Sequence, residues 1–380
     1  MELELTSDQE FFAETTRKFL EDKTPVSELR AKRNDPAGFE PAYWTQGAEL
    51  GWTSLLVSEE DGGGSISGRP LADLMLVAFE FGNHAAPGPL VPASIVAGAL
   101  SRAGSAEQKA GPLAEILSGE AVGSWAFGEP RPHDGFGEVT VTAEVDGDSV
   151  RLNGAKAPVE SAAQAKYILV TARTGEGLTQ VLVPTDAAGV TVTPMKSVDL
   201  TRHFAKVSLD NVALPVSAVV GEVGGAAGDV DWQTQVAILL ELNEMVGAMD
   251  RAFKMTHEWS FDRYSFGRPL ASYQELKHRF ADMKLWLEAS HAITDGAAKA
   301  VEDGDPEAWD LLSAAKAYVG HYGPELMHDC VQMHGGIGVT FEHDMHLYLR
   351  RVVLGSRLYG SVGDHRERLT ASLEKKEEAA

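Results

Sequence analysis

Val139-Thr140-Val141-Thr142-Ala143-Glu144-Val145, with Asp146-Gly147-Asp148 and Val150-Arg151-Leu152 behind it, is the stretch on which the fold turns. Apolar and polar side chains alternate on both sides of an Asp-Gly pair, the signature of two strands joined by a tight turn. Shorter runs of the same kind follow at 167–171, 180–183, 190–193 and 205–209, separated by Gly and Pro. They predict a middle β domain over residues 121–225, folded as a small antiparallel barrel or sandwich.

On both sides of this region the period becomes helical. Residues 1–120 read as an N-terminal helical domain. Ser7 with Glu10 makes a capping-box pattern ahead of Phe12, Thr16, Phe19 and Leu20, which share one helical face. Trp44 and Ala48, stopped by Gly51, suggest a second short helix. Pro70 opens an apolar helix through Phe81, and two more helices are expected over 92–103 and 106–117. Gly224-Gly225-Ala226-Ala227-Gly228 reads as a flexible linker, because no Lys-Ser/Thr follows to make it a phosphate loop. Residues 226–380 then carry long helical patterns at 231–263, 272–301 and 305–334, the last with Asp305 and Pro306 at its first turn. A final helix from Gly363 runs into a charged tail expected to be solvated, completing a C-terminal four-helix bundle. Helices, then strands, then long helices define an α+β chain with segregated layers.

Composition narrows the function. The formal net charge of -23 disfavours contact with phosphate backbones and anionic lipid. One cysteine, Cys330, excludes an intramolecular disulfide and fits a reducing compartment. No run reaches the ~18 apolar residues of a membrane span, and the N-terminus lacks the basic-then-apolar pattern of a signal peptide. The expected location is the cytoplasm.

Two C-terminal motifs carry chemistry: Arg263-Tyr264-Ser265-Phe266-Gly267 and Gln332-Met333-His334-Gly335-Gly336-Ile337-Gly338. A planar guanidinium grips phosphate oxygens through two parallel bonds, and paired glycines let backbone N–H groups approach an anion. Taken singly, Arg263 reads equally as a surface ion pair and Gly335-Gly336 as a helix stop. Together, in this order of domains, they resemble the flavin-binding signatures of acyl-CoA dehydrogenases, and the resemblance covers nearly the whole chain. It implies FAD as cofactor and α,β-dehydrogenation of a CoA thioester. It also implies that Arg263 and Gln332 reach across a subunit interface to the diphosphate and adenosine end of a neighbour's flavin. Ser265, Phe266, Gln274, Gly335 and Gly336 complete that set.

The rest of the family pattern is eroded. Where the resemblance calls for a catalytic glutamate, the chain reads Leu358-Tyr359-Gly360-Ser361, so Tyr359 or Gly360 stands at the base position. Ala126-Phe127-Gly128-Glu129-Pro130 and Lys156-Ala157-Pro158-Val159-Glu160-Ser161 replace the stretches that hold flavin within one subunit. Gly128 lacks the expected hydroxyl, Pro158 the expected aromatic, and Glu160 puts a negative charge where a donor belongs. An alternative base position falls on Ala237. Glu241, one turn on within an apolar run, is the remaining candidate, against the plainer reading that Glu241 or Glu244 is paired or faces solvent. His321, His328, His334, His343 and His346 lack compact metal-ligand spacing, and no metal is expected. Met327 and Met333 read as core, Cys330 as a buried thiol. Lys299, Lys316 and Arg350-Arg351 read as solvated charges, one or two free to meet CoA phosphates.

Residues implied to act on a neighbour's flavin are present, and those implied to act within the subunit are not. The expectation is therefore the base-deficient subunit of a heteromer, α2β2 in the simplest case. Its partners would be a homologous subunit carrying the glutamate, an acyl-CoA, and an electron-transfer flavoprotein or similar acceptor. The alternatives are a self-sufficient homo-oligomer using Glu241 and a flavin-free scaffold or acyl-CoA-binding subunit.

Overall fold

The computed structural model describes residues 5–130 and 139–379. Helices α1 (Ser7–Lys23), α2 (Val26–Leu29), α3 (Pro41–Glu49), α4 (Pro70–Asn83), α5 (Leu90–Ala103), α6 (Ala106–Gln108) and α7 (Ala114–Leu117) form the N-terminal part. The cap of α1 sits one residue earlier than the sequence suggests. Thr6 accepts the Gln9 N–H at 3.2 Å, and the Gln9 side chain accepts the Thr6 N–H at 3.1 Å. Thr and Gln make the same reciprocal pair as Ser and Glu, so neighbouring frames compete on sequence alone. The helix expected over 106–117 is interrupted by a wide π turn at Lys109–Leu113. Pro112 within it has no N–H to donate and crowds the preceding turn.

The middle sheet contains β1 (Gly123–Ala126), β2 (Thr142–Asp146), β3 (Ser149–Glu160), β4 (Tyr167–Arg173), β5 (Leu178–Pro184), β6 (Val190–Met195), β7 (Phe204–Pro215) and β8 (Val219–Val220). Its order is β6-β7-β3-β2-β4-β5-β8, with β1 attached to β4. The β2–β3 hairpin turns at Gly147, as the alternation predicts. The expectation of a purely antiparallel sheet is corrected: β1 pairs with β4 in parallel, and β2 meets β4 in parallel at Thr142–Arg173. β1 is buried on both faces, so it has no alternation to betray it.

The segment read as a flexible linker is tied to the sheet. Gly224 N–H donates to the Thr179 hydroxyl at 2.8 Å, and Ala226 N–H to Leu178 O at 2.9 Å. From there rises α8 (Ala227–Asp262), followed by a two-strand hairpin, β9 (Tyr264–Ser265) and β10 (Arg268–Pro269). Next come α9 (Gln274–Glu302), α10 (Ala308–His334), α11 (Met345–Gly355) and α12 (Val362–Ala379). α11 is an addition to the predicted bundle. Asp305 and Pro306 lie ahead of α10 rather than inside it; the Asp305 carboxylate accepts the Glu307 N–H at 2.8 Å. Trp309 donates to Asp231 at one end of the bundle and Trp259 stacks on His334 at the other, so α8 and α10 run parallel.

α8 also crosses α4 at backbone contact. A Cβ at Gly82 would stand 1.9 Å from Glu244 O, and one at Gly247 would stand 2.0 Å from Phe79 O. Only glycine permits that approach. The crossing locks the helical N-terminal part against the bundle and fixes which way the middle of α8 faces.

Candidate functional site

The two C-terminal motifs meet at one end of the bundle. Arg263 follows α8 by one residue and Gly335 ends α10, with the Trp259–His334 stack (5.5 Å between centroids) binding the two ends together. Arg263 is exposed, and among the described residues no ion pair or hydrogen bond engages its guanidinium. The surface ion pair weighed for it is therefore not there. Gln332, Gly335 and Gly336 are exposed as well. Ser265 is half-buried, its carbonyl accepting the Tyr273 hydroxyl at 2.7 Å, and Gln274 is exposed at the start of α9 beside His278.

The surface around them is apolar and open. Phe266 is 97% exposed, Val339 75% and Tyr264 62%. Phe266 also holds φ at +51°, a strained position for an aromatic residue. It gains no burial in return. A Cβ at Gly336 would meet nothing within 4 Å, and its φ is not positive, so nothing within the chain demands glycine there. An open apolar surface with free donors and a gratuitous glycine is shaped for something outside the chain.

The region that would hold flavin in cis is built in the opposite way. Glu160 is buried and takes two bonds from Arg202, Nε and Nη2 each at 2.7 Å. Glu241 is fully buried and accepts from Arg202 Nη1 with both oxygens, at 2.8 and 2.7 Å. Glu241 is thus a paired structural carboxylate, as the plainer reading held. Next to it Arg351 donates to Asp199 (2.8 Å), Thr201 (2.6 Å), Phe81 O (3.1 Å) and Ala86 O (2.9 Å), joining all three parts of the chain. Lys316 donates to Gly355 O from a fully buried position. Arg351 and Lys316 are therefore core groups, which corrects their reading as solvated charges. A long side chain can carry its charge inward when carboxylates and carbonyls wait for it.

One member of the cluster is incompletely held. Glu244 lies 3.7 Å from Arg202 Nη1 and 3.4 Å from Arg351 Nη1, and its Oε2 has no hydrogen-bond partner. Burial pushes its pKa up to about 7, against the pull of both arginines. Burial lowers the Lys316 pKa to about 8.

Of the two residues expected at the base position, Tyr359 and Gly360, neither is acidic, and the tyrosine packs against other aromatic rings. The Tyr359 ring lies 5.9 Å from Trp125, which in turn stacks on Phe127 at 5.1 Å. Burial, with Glu160 and Glu241 nearby, pushes the Tyr359 phenol upward, so it stays protonated and takes no proton from carbon. Beside this column, Glu129 accepts from Lys156 at 2.7 Å and from the Thr140 N–H at 3.0 Å, a second buried ion pair. Cys330 is buried, and its thiol is pushed up to about 12. Sequence reasoning named Glu160 and Glu241 but missed Arg202, which joins them; no motif surrounds it.

The two sets of residues suit FAD unequally. The exposed set at the end of the bundle fits a diphosphate: a free guanidinium, an amide and an unobstructed glycine pair. The interior set does not fit an isoalloxazine ring, since the charged groups that would meet it are already taken up by one another: Glu160 and Glu241 by Arg202, and Glu129 by Lys156.

Comparison with known proteins agrees along the full length. Family models match in succession: "Acyl-CoA dehydrogenase, N-terminal domain" at residues 6–120, the middle domain at 126–212 and the C-terminal domain at 242–373. Acyl-CoA dehydrogenase IpdE2 of Mycolicibacterium smegmatis is 27% identical, over 97% of this chain and 100% of that protein. A chain of the ChsE4-ChsE5 complex from Mycobacterium tuberculosis superposes with a TM-score of 0.89 at 24% identity, covering 98% of this chain and 99% of that one. A variant of the Tcur3481-Tcur3483 steroid ACAD gives 0.86 at 26% identity, covering 98% and 99%. No helix among the described residues is long and apolar enough to cross a membrane. With three consecutive domains matched in order and the same architecture found in the solved relatives, this chain belongs to the acyl-CoA dehydrogenase superfamily.

Proposed function

We propose that this chain is the subunit of a heteromeric acyl-CoA dehydrogenase that lacks the proton-abstracting carboxylate. The observation that carries the reading is the contrast between a flavin-facing end left exposed and an interior closed by Arg202, Glu160 and Glu241. A homo-oligomer needs both sets of residues on every chain. A heteromer needs only one on each.

In this assembly Arg263 binds the diphosphate of FAD held mainly by the partner, and Gln332 and the Gly335–Gly336 backbone flank its adenosine end. Ser265 adds a hydroxyl, Phe266 an apolar surface that excludes water, and Gln274 an amide. When bound, FAD supplies the acceptor for hydride leaving the β-carbon of the thioester. The partner contributes the glutamate that removes the α-proton. This chain contributes position and electrostatics alone. An α2β2 arrangement meets these needs with the fewest chains, and the ChsE4-ChsE5 complex is a relative described as a complex of two named proteins. The steroid ACAD among the solved relatives makes a bulky, steroid-like CoA thioester the proposed substrate class. A soluble acceptor such as an electron-transfer flavoprotein would reoxidise the flavin, and the proposed location of the assembly is the cytoplasm.

The rival with Glu241 as base has to break two bonds to Arg202 before Glu241 is free. The test is to compare this chain alone with the chain co-expressed beside a homologue that retains the glutamate. Flavin absorbance and acyl-CoA-dependent dye reduction are expected only from the pair. Turnover by the chain alone, abolished by Glu241→Ala, would sink the proposal. An active pair whose flavin content ignores Arg263→Ala would instead support a scaffold without flavin contacts.

A further inference from the structure

Away from both regions, a cleft of about 430 Å³ opens where the three parts of the chain meet. Its walls are the loop after α2, residues 163–164, 194–197, 199–200 and 202–204 of the middle domain, and Arg350 of α11. The volume lies at the small end of the ~300–1,000 Å³ found for small-molecule sites.

Three side chains on these walls hold buried polar atoms without a hydrogen-bond partner: Arg350 Nε, Ser197 Oγ and Gln164 Oε1. Buried polar groups in a native fold are almost always satisfied, so three at one cleft call for an absent partner. Arg350 is braced from behind, its Nη1 donating to Val198 O at 3.2 Å, which leaves the Nε edge for another acceptor. Lys196 stands exposed on the same wall, with no ion pair among the described residues.

Two of the other charges in the wall are already answered. Arg202 is bound by Glu160 and Glu241, and Asp199 by Arg351 and Thr201. Asp35 accepts the Ala37 N–H at 2.9 Å and is the one carboxylate without a cation. Two unpaired cations and a free hydroxyl against one carboxylate make a locally positive cleft on a chain of net charge -23. Arg, Lys and Ser together offer more donors than a planar carboxylate has oxygens to take. A tetrahedral anion suits them better. Leu200 and Phe204 add an apolar wall for a small organic body.

We propose that this cleft binds a phosphate group, free or carried on a small organic molecule, through Arg350, Ser197 and Lys196. None of these residues belongs to the flavin-facing set, so the proposal stands apart from the heteromer reading. Its test uses neither flavin nor turnover: calorimetric titration of the protein as isolated, with its partner if one copurifies, by inorganic phosphate and separately by CoA. Saturable binding is expected, weakened about ten-fold or more by Ser197→Ala and by Arg350→Gln, since each removes a donor to a charged acceptor. If Arg350→Gln fails to fold, Ser197→Ala and Lys196→Gln carry the test. Phosphate binding sensitive to Ser197→Ala assigns the free ion. CoA binding with that sensitivity, in the absence of phosphate binding, assigns a carried phosphate. No saturable binding of either probe, or binding unchanged in every folded variant, overturns the proposal.

Discussion

The middle and the end of α8 treat their polar groups in opposite ways. Halfway along, Glu241 and Glu244 are sealed from water among arginines; at the residue just past the end, Arg263 stands in solvent with no partner among the described residues. A carboxylate so thoroughly paired is unavailable for chemistry. A guanidinium so thoroughly unpaired is available for a neighbour's. The same helix thus carries a sealed polar cluster and an open cation, and under the proposed function these are the closed and open halves of a site shared by two unlike chains.

The sharpest way to break this contrast is to remove the cation that closes the interior. Arg202→Ala leaves Glu160 and Glu241 buried and unpaired, and urea denaturation is expected to register a loss of about 3–5 kcal/mol. Arg202→Met combined with Glu160→Gln and Glu241→Gln should recover most of it, because the cost lies in stranded charge rather than lost packing. A single Arg202→Ala variant as stable as wild type would show that the cluster closes nothing.

A smaller effect belongs to the exposed end. Arg263→Ala should leave stability within about 0.5 kcal/mol, as surface changes do. It should weaken flavin retention by the assembled pair about 10–100-fold, read from the ratio of flavin to protein absorbance after dialysis. The interior also carries a pH dependence. Glu244 has its folded pKa raised to about 7, so its contribution to stability is fully present below about 4.5 and is lost as pH rises towards 7. Relative to wild type, Glu244→Gln should therefore gain on the order of 3 kcal/mol between those limits, measured by denaturant titration at successive pH values. A flat difference would mean that the neighbouring arginines keep Glu244 ionised throughout.

What could be read in advance follows from how far each signal reaches along the chain. The hairpin at Gly147, the helix opened by Pro70 and the long helices of the bundle are local patterns, and they form as expected. β1 lacked a signal because it is buried on both faces, and the π turn because a proline can bend a helix without ending it. The two C-terminal motifs were legible as contiguous runs, and the fold brings them to one end of the bundle. The ion cluster was not, because Arg351 meets Asp199 across 152 residues and neither carries a local mark of burial. Hydropathy assigns lysine and arginine to water, so Lys316 and Arg351 were misread where tertiary pairing overrides that preference. Glu241 gave the one available hint, a lone acid within Ala237-Ile238-Leu239-Leu240-Glu241-Leu242.

The glycine crossing of α4 and α8 has a consequence beyond packing. Because Gly82 lies against the Glu244 backbone and Gly247 against that of Phe79, any larger residue at either position acts as a wedge, levering the first domain off the third. Glu244, whose carbonyl is the contact point, would swing with its helix and pull the interior charges out of register. A single methyl group far from any ligand would then be felt at the heart of the molecule, as a misaligned hinge pin is felt along the whole edge of a door.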